Sequence, residues 1–360
     1  MGTVDAVDDV EHGRGRLGWS STFDAAWDAL GRPGNPARVT RLDRGWSTAA
    51  RSLAQAIGDD EPIRLRNIGA DVAVGDWIVP SEDGERVEHV LERSSAFTRR
   101  ASFDGMRAVS HTLAANIDTV YLVHALGAPP SPRRLERELV LAFDSGAEPV
   151  VVLTKTDLVG DPEPARAALA EVALGVPVLL ASGVTGEGVE ALRHAADGNR
   201  TLAFLGASGV GKSTLINVLV GDTVQATSAV REGDQRGRHT TVAAELVPMP
   251  GEGWLLDTPG VRAVSLWLSG DGIERAFADV FDLMDHCRFR DCKHDREPGC
   301  AVQQAIADGE LDPVRLTALE ALIVEEAELE AEQRAREKAA DRRAKDKRRP
   351  EAAEFDGMRD

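Results

Sequence analysis

The stretch TLAFLGASGVGKST, residues 201–214, decides the fold of this chain. It is typical of a buried strand, a glycine-rich turn and the first turn of a helix. In this context the glycines let successive backbone N–H groups point inward around a phosphate at the N-terminus of the helix. Lys212 is expected to reach the β- and γ-phosphates of a nucleotide, and the Ser213 hydroxyl to ligate Mg²⁺. The phosphate-binding loop that the GxxxxGKS motif predicts contains Gly206, Ala207, Ser208, Gly209, Val210, Gly211, Lys212, Ser213 and Thr214.

Strand and helix patterns alternate on both sides of this loop. From about Ile117, apolar runs such as TVYLVHAL, EPVVVLT, GVPVLLA and GWLLDT are separated by helical stretches near residues 133–144, 163–174, 187–196 and 212–220. Alternating strands and helices predict an α/β fold with a doubly wound, mostly parallel sheet. In such sheets ligands bind at the carboxyl ends of the strands, and the motifs of this chain follow its apolar runs.

The tetrapeptide TKTD indicates which base the site prefers. The Asp157 carboxylate can accept hydrogen bonds from guanine N1–H and the exocyclic amine, a donor pair that adenine lacks. The stem of Lys155 can lie over the purine plane. Thr154 stands where this motif usually has Asn, and it keeps a hydroxyl for bonding to a neighbouring loop. The segment ASGVTGEG could wrap the base with its backbone N–H groups, and the alternative is that it is an ordinary connecting loop. The predicted base-binding residues are Thr154, Lys155, Thr156, Asp157, Ser182 and Gly183.

Two further segments are typical of loops that respond to the γ-phosphate. In DTPG, Asp257 is expected to hold Mg²⁺ through water and the Gly260 N–H to contact the γ-phosphate. In GRHTT, residues 237–241, Thr241 is the predicted Mg²⁺-contacting hydroxyl, and Thr240 is the alternative.

The motifs do not include an obvious side chain to position the attacking water. Val261 follows Gly260 and is apolar, so it cannot orient a water molecule. His239 is the nearest side chain that can, although a single loop histidine is often structural. The predicted catalytic residues are therefore His239, Lys212 and Thr241.

The order of these motifs is unusual. TKTD and TGEG precede the phosphate loop, and DTPG comes last, whereas most GTPases begin with the phosphate loop and end with the base motif. A sheet can keep its spatial arrangement when its termini move, so a circular permutation leaves the pocket intact. The permuted order leads the switch segments almost directly into the C-terminal region.

The C-terminal region contains CRFRDCKHDREPGC, which holds all three cysteines of the chain. Three thiolates and one imidazole make a closed tetrahedral set, the kind that binds a structural Zn²⁺. The predicted ligands are Cys287, Cys292, His294 and Cys300. The alternative is a group of reactive thiols.

The rest of the chain carries less specific signals. Before the α/β region, ARVTRLD, PIRLRNI, VGDWIVP and ERVEHVLER predict short strands of a small OB-like barrel, preceded by a helix in STFDAAWDAL. A long charged helix is predicted over residues 312–349, and its last part is basic. A smaller basic group occurs at residues 93–107. For both basic stretches the sequence leaves two interpretations open, contact with RNA or a solvated surface.

Composition restricts the classes of protein that remain. The 360-residue chain has a formal net charge of −18, which argues against nonspecific coating of nucleic acid. No apolar run reaches the roughly 18 residues that a membrane span needs, and the N-terminus lacks a secretory signal. We expect a cytoplasmic protein with no membrane partner.

These motifs together resemble those of the RsgA (YjeQ) family of circularly permuted, ribosome-dependent GTPases. The resemblance rests on TKTD, GASGVGKST, GRHTT, DTPG and the Cys/His cluster, with support from VGDWIVP and AANID, and it covers roughly residues 36–320. It implies an N-terminal OB-like β-barrel, a circularly permuted P-loop GTPase domain and a C-terminal helical zinc-binding domain. The expected divisions are an N-terminal extension over 1–35, the OB-fold over 36–100, the GTPase domain over 101–265, the zinc domain over 266–349 and a disordered tail over 350–360.

The resemblance also implies an activity and its partners. It implies GTP hydrolysis by a late assembly factor of the small ribosomal subunit, stimulated by that subunit. The expected partners are the small subunit, its rRNA and GTP or GDP. We expect the protein to be a monomer. We also expect it to bind one structural Zn²⁺, and Mg²⁺ together with the nucleotide. Thr154, Gly183 and the acidic net charge depart from the family pattern, and the charge favours RNA contact through local basic patches on the barrel and the C-terminal helix.

Two other functions are compatible with parts of the sequence. The first is a non-ribosomal molecular switch that binds a protein partner, which the acidic balance favours. The second is a small-molecule kinase that uses the phosphate loop. No acceptor site is visible for a kinase, and DTPG with GRHTT is typical of switch loops.

Overall fold

A computed structural model describes residues 13–43, 45–99, 111–173, 175–221, 245–257 and 270–347. The described chain forms two compact units, and the boundary between them lies after Ala276. Several predicted features lie outside the described residues: His239, Thr240, Thr241, Gly260, Val261 and the expected tail over 350–360.

The first unit opens with a closed five-stranded barrel. Its elements are helix α1 (Ser21–Ala29), β1 (Ala37–Asp43), β2 (Trp46–Ala50), helix α2 (Leu53–Ile57), β3 (Ile63–Arg66), β4 (Trp77–Pro80) and β5 (Val87–Val90). β1 pairs with β2 and β4, β2 with β3, and β4 with β5, all antiparallel. A parallel bridge between Arg66 and Arg86 closes the ring. The strand order 1-2-3-5-4 is that of an OB-fold, so the predicted barrel class is confirmed.

The barrel interior explains its strand pattern. Inward-facing side chains alternate along each strand and form one apolar cluster: Ala37, Val39, Ala49, Leu65, Val72, Ile78 and Val87. The strand β2 was absent from the predicted runs, because its sequence WSTAA has few of the β-branched residues that signal a strand.

The α/β part follows the barrel in the same unit. Its elements are β6 (Ala96–Arg99), β7 (His111–Ala115), β8 (Thr119–Ala125), α3 (Pro132–Ser145), β9 (Glu148–Thr154), α4 (Glu163–Ala173), β10 (Val178–Ala181), α5 (Val189–His194), β11 (Thr201–Leu205), α6 (Lys212–Val220), β12 (Glu245–Pro248), β13 (Trp254–Asp257) and α7 (Gly270–Ala276). β6 and β7 form a separate two-stranded sheet. The four predicted helical stretches correspond to α3, α4, α5 and α6.

The order of the main sheet positions the motifs. Its strands run β10-β9-β8-β11-β13-β12, and all neighbours are parallel except β12, which is antiparallel to β13. β12 also pairs with β1 of the barrel, where Glu245 lies opposite Arg41. The carboxyl ends of β9, β10, β11 and β13 carry TKTD, the TGEG loop, the phosphate loop and Asp257, so all four motifs meet at one edge of the sheet.

The second unit is helical. It contains α8 (Ala278–Met284), α9 (Ala301–Asp308) and the 35-residue α10 (Pro313–Lys347), which corresponds to the predicted charged helix. Arg315 makes a forked ion pair with Asp279, with Nε–Oδ2 at 3.0 Å and Nη2–Oδ1 at 2.9 Å, and its guanidinium stacks over Phe277. In the described ranges, no helix has both the length and the apolar character that crossing a bilayer requires.

Candidate nucleotide and metal sites

The phosphate loop is shaped by close contact with the neighbouring strand β8. Gly206 has φ +144°, and a Cβ at this position would lie 2.3 Å from the carbonyl oxygen of Val123, so only glycine fits. Gly211 is the N-cap of α6, which begins at Lys212. The loop therefore places its backbone N–H groups at the N-terminus of a helix, as the motif predicts.

Lys212 lies against its own loop. Its Nζ donates to the carbonyl oxygens of Gly206 at 2.8 Å and Ala207 at 2.5 Å, and the residue is only 7% exposed. Ser213 and Thr214, which follow on the first turn of α6, are exposed. The arrangement puts an ammonium group and two hydroxyl-bearing residues at the mouth of the predicted phosphate site.

Thr154 joins the base motif to the phosphate loop. Its hydroxyl lies within hydrogen-bonding distance of the carbonyl oxygens of Val210 and, at 3.2 Å, of His124. The residue is buried at the end of β9. Threonine at this position thus provides the loop contact that the sequence analysis expects of its hydroxyl.

Lys155 crosses the phosphate loop. Its backbone has φ +65°, which turns the chain sharply after β9, and its Nζ donates to the carbonyl oxygen of Gly209 at 2.8 Å. The aliphatic stem therefore extends from the base motif to the loop, where it can cover one face of a purine.

The Asp157 carboxylate is held by the loop after β10. Ser182 Oγ donates to Asp157 Oδ1 at 2.5 Å, and the same Oγ accepts the backbone N–H groups of Val184 and Thr185, both at 3.2 Å. Asp157 itself is exposed, and Ser182 is fully buried. A carboxylate offers about four acceptor sites, so the bond from Ser182 orients Asp157 and leaves capacity for two base donors.

A second contact between these loops was missed in the sequence. Thr156 Oγ1 donates to Glu187 Oε2 at 2.7 Å, and the carbonyl of Glu187 accepts the N–H of Ser182 at 2.9 Å. Thr156 is buried, whereas Asp157 is exposed. Thr156 and Glu187 thus brace the two base-site loops against each other. The acidic residue within TGEG was the available signal.

Gly183 allows the base loop to approach helix α6 closely. A Cβ at this position would lie 2.9 Å from Thr214 Cγ2 and 3.1 Å from the backbone carbon of Thr214. Neither group can move far, because Thr214 is in the first turn of α6. Glycine at this position therefore matches the close spacing between this loop and the helix.

The structure describes only part of the predicted magnesium site. Asp257 ends β13, which pairs in parallel with β11, so its backbone lies beside the strand that leads into the phosphate loop. The predicted switch residues Thr240, Thr241, His239 and Gly260 lie outside the described residues.

The four predicted metal ligands come together between α8 and α9. Cys287 Sγ lies 3.9 Å from Cys300 Sγ, and each of these sulfurs lies 3.6 Å from His294 Nδ1. With Cys292, the four ligand atoms lie within 4.8 Å of one another. Tetrahedral Zn–S and Zn–N bonds of usual length place two sulfurs ~3.8 Å apart and sulfur and nitrogen ~3.6 Å apart. The cluster has the dimensions of a tetrahedral metal site.

The electrostatics of the cluster also suit a cation. Burial acts to raise the pKa of the Cys287 thiol, but hydrogen bonds from the backbone N–H groups of Ala301 and Val302 hold it below its ordinary value. Burial and the two neighbouring thiols raise the pKa of Cys292 to about 11. Three neighbouring thiolates repel one another, so a bound cation is needed to keep all of them ionised.

A basic and aromatic face lies on the outside of the barrel. Trp46 is 37% exposed on β2, opposite Arg66 on β3, and Arg64 lies two residues along the same face. The guanidinium carbons of Arg64 and Arg66 lie 5.6 Å and 5.2 Å from the Trp46 ring centre. Among the described residues, neither arginine has an ion-pair partner. We call Trp46, Arg64 and Arg66 the barrel face. The sequence alone does not predict this face, because it depends on the pairing of β2 with β3.

Known proteins are similar to this chain in sequence and in fold. A family model described as RsgA GTPase matches residues 90–267. A small ribosomal subunit biogenesis GTPase RsgA from Streptomyces coelicolor is 38% identical, with 89% of each chain covered. A protein with the same description from Xanthomonas euvesicatoria is 40% identical over 95% of this chain and 93% of its own.

Two solved structures have the same arrangement of elements. YjeQ from Thermotoga maritima superposes with a TM-score of 0.58 at 24% identity, covering 81% of this chain and 98% of its own. YloQ, described as a circularly permuted GTPase, superposes with a TM-score of 0.55 at 25% identity, covering 81% and 95%. The permuted order of motifs therefore corresponds to a known fold.

Proposed function

Because the chain belongs to the RsgA family of GTPases, we propose that it hydrolyses GTP while bound to the small ribosomal subunit and acts in the maturation of that subunit. The relatives with 38% and 40% identity carry this role in their names. The observation in this molecule that best supports the proposal is the combination of a guanine-type base site and an RNA-compatible barrel face in one unit.

Guanine is held by Asp157 in this proposal. Ser182 aims the carboxylate, and the Thr156–Glu187 bond fixes the two loops that flank it. The exposed carboxylate accepts from N1–H and the exocyclic amine of guanine, and an adenine would leave it without these donors. Lys155 covers the base, since its stem already extends over the adjoining phosphate loop.

The phosphates are held by the loop 206–214. Its backbone N–H groups and Lys212 supply positive potential where charge develops on the β- and γ-phosphoryl oxygens. Ser213, Thr241 and Asp257 would hold Mg²⁺, which would neutralise part of the phosphate charge. His239 orients the attacking water, because Val261 cannot do so.

The Cys287, Cys292, His294 and Cys300 cluster holds Zn²⁺ in this proposal. Three sulfurs and one nitrogen in tetrahedral spacing suit zinc, and no position is left open for a water. The ion would join the segment between α8 and α9 to the N-terminus of α9, where Cys300 is the N-cap.

RNA is contacted through the barrel face. Arginines that are not neutralised attract phosphates, and an exposed indole offers a surface on which an unpaired base can stack. The net charge of −18 keeps the rest of the surface from binding RNA nonspecifically, so a local face is needed. We propose that a monomer makes these contacts.

Sedimentation with purified subunits tests the proposal. The chain is mixed with small or large subunits in the presence of GDP or a non-hydrolysable GTP analogue. We expect it to sediment with the small subunit, more strongly with the analogue. Equal binding to both subunits, or none, would contradict the proposal.

A matched variant shows whether the nucleotide controls this binding. Lys212→Ala removes the ammonium group at the phosphate loop and leaves the barrel face intact. It is expected to bind small subunits equally with either nucleotide. A variant that still distinguishes the analogue from GDP would mean that the phosphate loop does not sense the γ-phosphate.

A further inference from the structure

Arg38 is a buried arginine at the junction of the barrel and the nucleotide-binding sheet. It lies on β1 and is only 2% exposed. Its Nη1 donates to the carbonyl oxygen of Leu17, and its Nη2 donates to Thr201 Oγ1 at 2.7 Å and to the carbonyl oxygen of Asn116 at 3.3 Å. One guanidinium therefore joins the N-terminal segment, the start of β11 and the segment before β8.

The environment of Arg38 is unusual for a buried charge. Its hydrogen-bond acceptors are two carbonyl groups and one hydroxyl, and its Nε has no partner among the described residues. Burial lowers the pKa of Arg38 to about 10, although the charges of Asp118 and Asp76 partly offset this. The side chain stays protonated at neutral pH, so a charge is kept in the interior without a carboxylate in contact. Burying this charge costs desolvation free energy that its hydrogen bonds only partly offset, which favours a role in holding one specific arrangement.

The contacts of Arg38 lead to the nucleotide site. Thr201 begins β11, and the same strand ends at Leu205, directly before the phosphate loop. Thr201 lies opposite Trp254, which begins β13, the strand that ends at Asp257. Trp254 Nε1 donates to the carbonyl oxygen of Arg16 at 3.0 Å, next to the Leu17 carbonyl that accepts from Arg38. Both strands that end at the phosphate and magnesium sites are thus held at their other ends by one junction.

The contacts of Arg38 also lead to the barrel face. Arg38 lies opposite Ala50 of β2, and β2 begins at Trp46. Its guanidinium carbon also lies 5.9 Å from the ring centre of Trp77 on β4. A shift of β2 against β1 would change the geometry at Arg38, because Arg38 is itself paired with Ala50 in the ladder between these strands, whose register shifts once between Val39 and Arg41.

We propose that Arg38 is a positioning residue that couples occupancy of the barrel face to the conformation of the phosphate loop through Thr201. This inference rests on the proposed function, since it assigns the path by which bound RNA raises GTP turnover. A residue of this kind changes the coupling between two sites without contacting either ligand.

Two substitutions remove the hydrogen bond between Arg38 and Thr201, one by changing its donor and one by changing its acceptor. Arg38→Met removes the guanidinium and keeps much of the side-chain length. Thr201→Val removes only the accepting hydroxyl and is the milder change. With either variant, we expect unstimulated GTP turnover and affinity for the small subunit to stay within about twofold of wild type. Stimulation by the subunit is expected to fall at least about fivefold, the lower range of measured couplings.

The double variant and a control distinguish coupling from general damage. Arg38→Met with Thr201→Val should lose no more stimulation than Arg38→Met alone, because the two residues act as one unit. Arg51→Met removes another barrel arginine, which is bonded to the carbonyl of Asn35, and should keep full stimulation. Full stimulation in the Arg38→Met and Thr201→Val variants, or an equal loss in Arg51→Met, would overturn the inference. A loss of stimulation that only mirrors a loss of subunit affinity would overturn it too.

A measurement without ribosomes tests the same coupling from the other side. Linkage is reciprocal, so a nucleotide at the phosphate loop must affect the barrel if the barrel affects the loop. We expect a non-hydrolysable GTP analogue to slow amide hydrogen exchange in β1–β3 of the wild-type chain and not of Thr201→Val. An equal effect in both, or none in wild type, would contradict the role of Arg38. Wild-type turnover that subunits do not stimulate would instead contradict the proposed function, and the exchange result would still decide the coupling.

Discussion

Thr154 links the base motif to the phosphate loop through one buried hydroxyl. Replacement by valine keeps the shape of the side chain but leaves the carbonyl of Val210 without this donor. We expect Thr154→Val to weaken GDP binding about fivefold to a hundredfold, since an unsatisfied buried polar group costs ~1–3 kcal/mol. Thr154→Ser, which keeps the hydroxyl, is the control. GDP affinity is measured by calorimetry. An equal loss of affinity in both variants would show that the hydroxyl of Thr154 does not contribute to GDP binding.

Asp157 is the residue that we propose decides which base is bound. In Asp157→Asn one acceptor becomes a donor that faces the exocyclic amine of guanine. The affinity for GTP should fall at least about 100-fold, because hydrogen bonds to a charged group contribute ~1.5–3 kcal/mol each. Xanthosine triphosphate, which carries a carbonyl in place of that amine, should bind the variant better than GTP does. A variant that keeps its preference for GTP would refute the assignment.

At the scale of residues, the sequence could predict chemistry but few contacts. The roles proposed for Lys212, Asp157 and Ser182 follow from motif spacing, and the structure brings these residues to one edge of the sheet. The bonds of Thr154 to Val210 and of Arg38 to Thr201 span 56 and 163 positions in the chain. Such contacts depend on tertiary packing, which local patterns do not encode.

The segment between α8 and α9 is expected to depend on the proposed metal site. The segment Arg288–Gly299 is closed by a backbone bond of 3.0 Å, and Glu297 accepts the backbone N–H groups of Lys293, Asp295 and Arg296 at 2.9–3.1 Å. It contains no helix or strand of its own, so we expect a bound metal to contribute much of its order.

Removal of one thiol tests the metal site. We expect one Zn²⁺ per wild-type chain by elemental analysis and its loss in Cys292→Ser, because three ligands hold the ion far more weakly than four. The melting temperature of the second unit should fall with it. Lys293→Ala, one position away, should keep the metal. A wild-type chain that carries iron, or no metal at all, would contradict the assignment.

At the scale of elements, periodicity predicted helices better than short strands. The helix predicted near residues 133–144 spans Pro132–Ser145 in the structure. Proline in its first turn and Gly146 after its last residue are typical of a helix start and a helix end. The strand β2 was missed, since WSTAA forms a strand only through its pairing with β1 and β3. The parallel strands were easier to predict, because burial on both faces makes them continuous apolar runs.

In the whole molecule, permutation changes which segments adjoin. The base motif on β9 now precedes the phosphate loop, and β13 with Asp257 is the last strand of the sheet. The strand order remains that of an α/β nucleotide-binding sheet.

The barrel face gives the whole molecule its proposed contact with RNA. Trp46→Ala should weaken binding to small subunits about 5- to 150-fold, because stacking of one base contributes ~1–3 kcal/mol. GTP turnover without subunits should not change. Trp46→Phe, which keeps an aromatic ring, should bind nearly as well as wild type. Equal binding of the alanine variant, measured by filter binding, would place the RNA contact elsewhere.

The proposed activity is tested most directly by steady-state GTP hydrolysis by the full chain, with small subunits, with large subunits and alone, and with ATP as the control nucleotide. We expect small subunits to raise the rate at least roughly tenfold, which corresponds to lowering the barrier by ~1.4 kcal/mol. Large subunits should not raise it, and ATP should not be used. GTP hydrolysis that proceeds at the same rate with and without small subunits would contradict the proposed function and would favour a switch that acts on a protein partner.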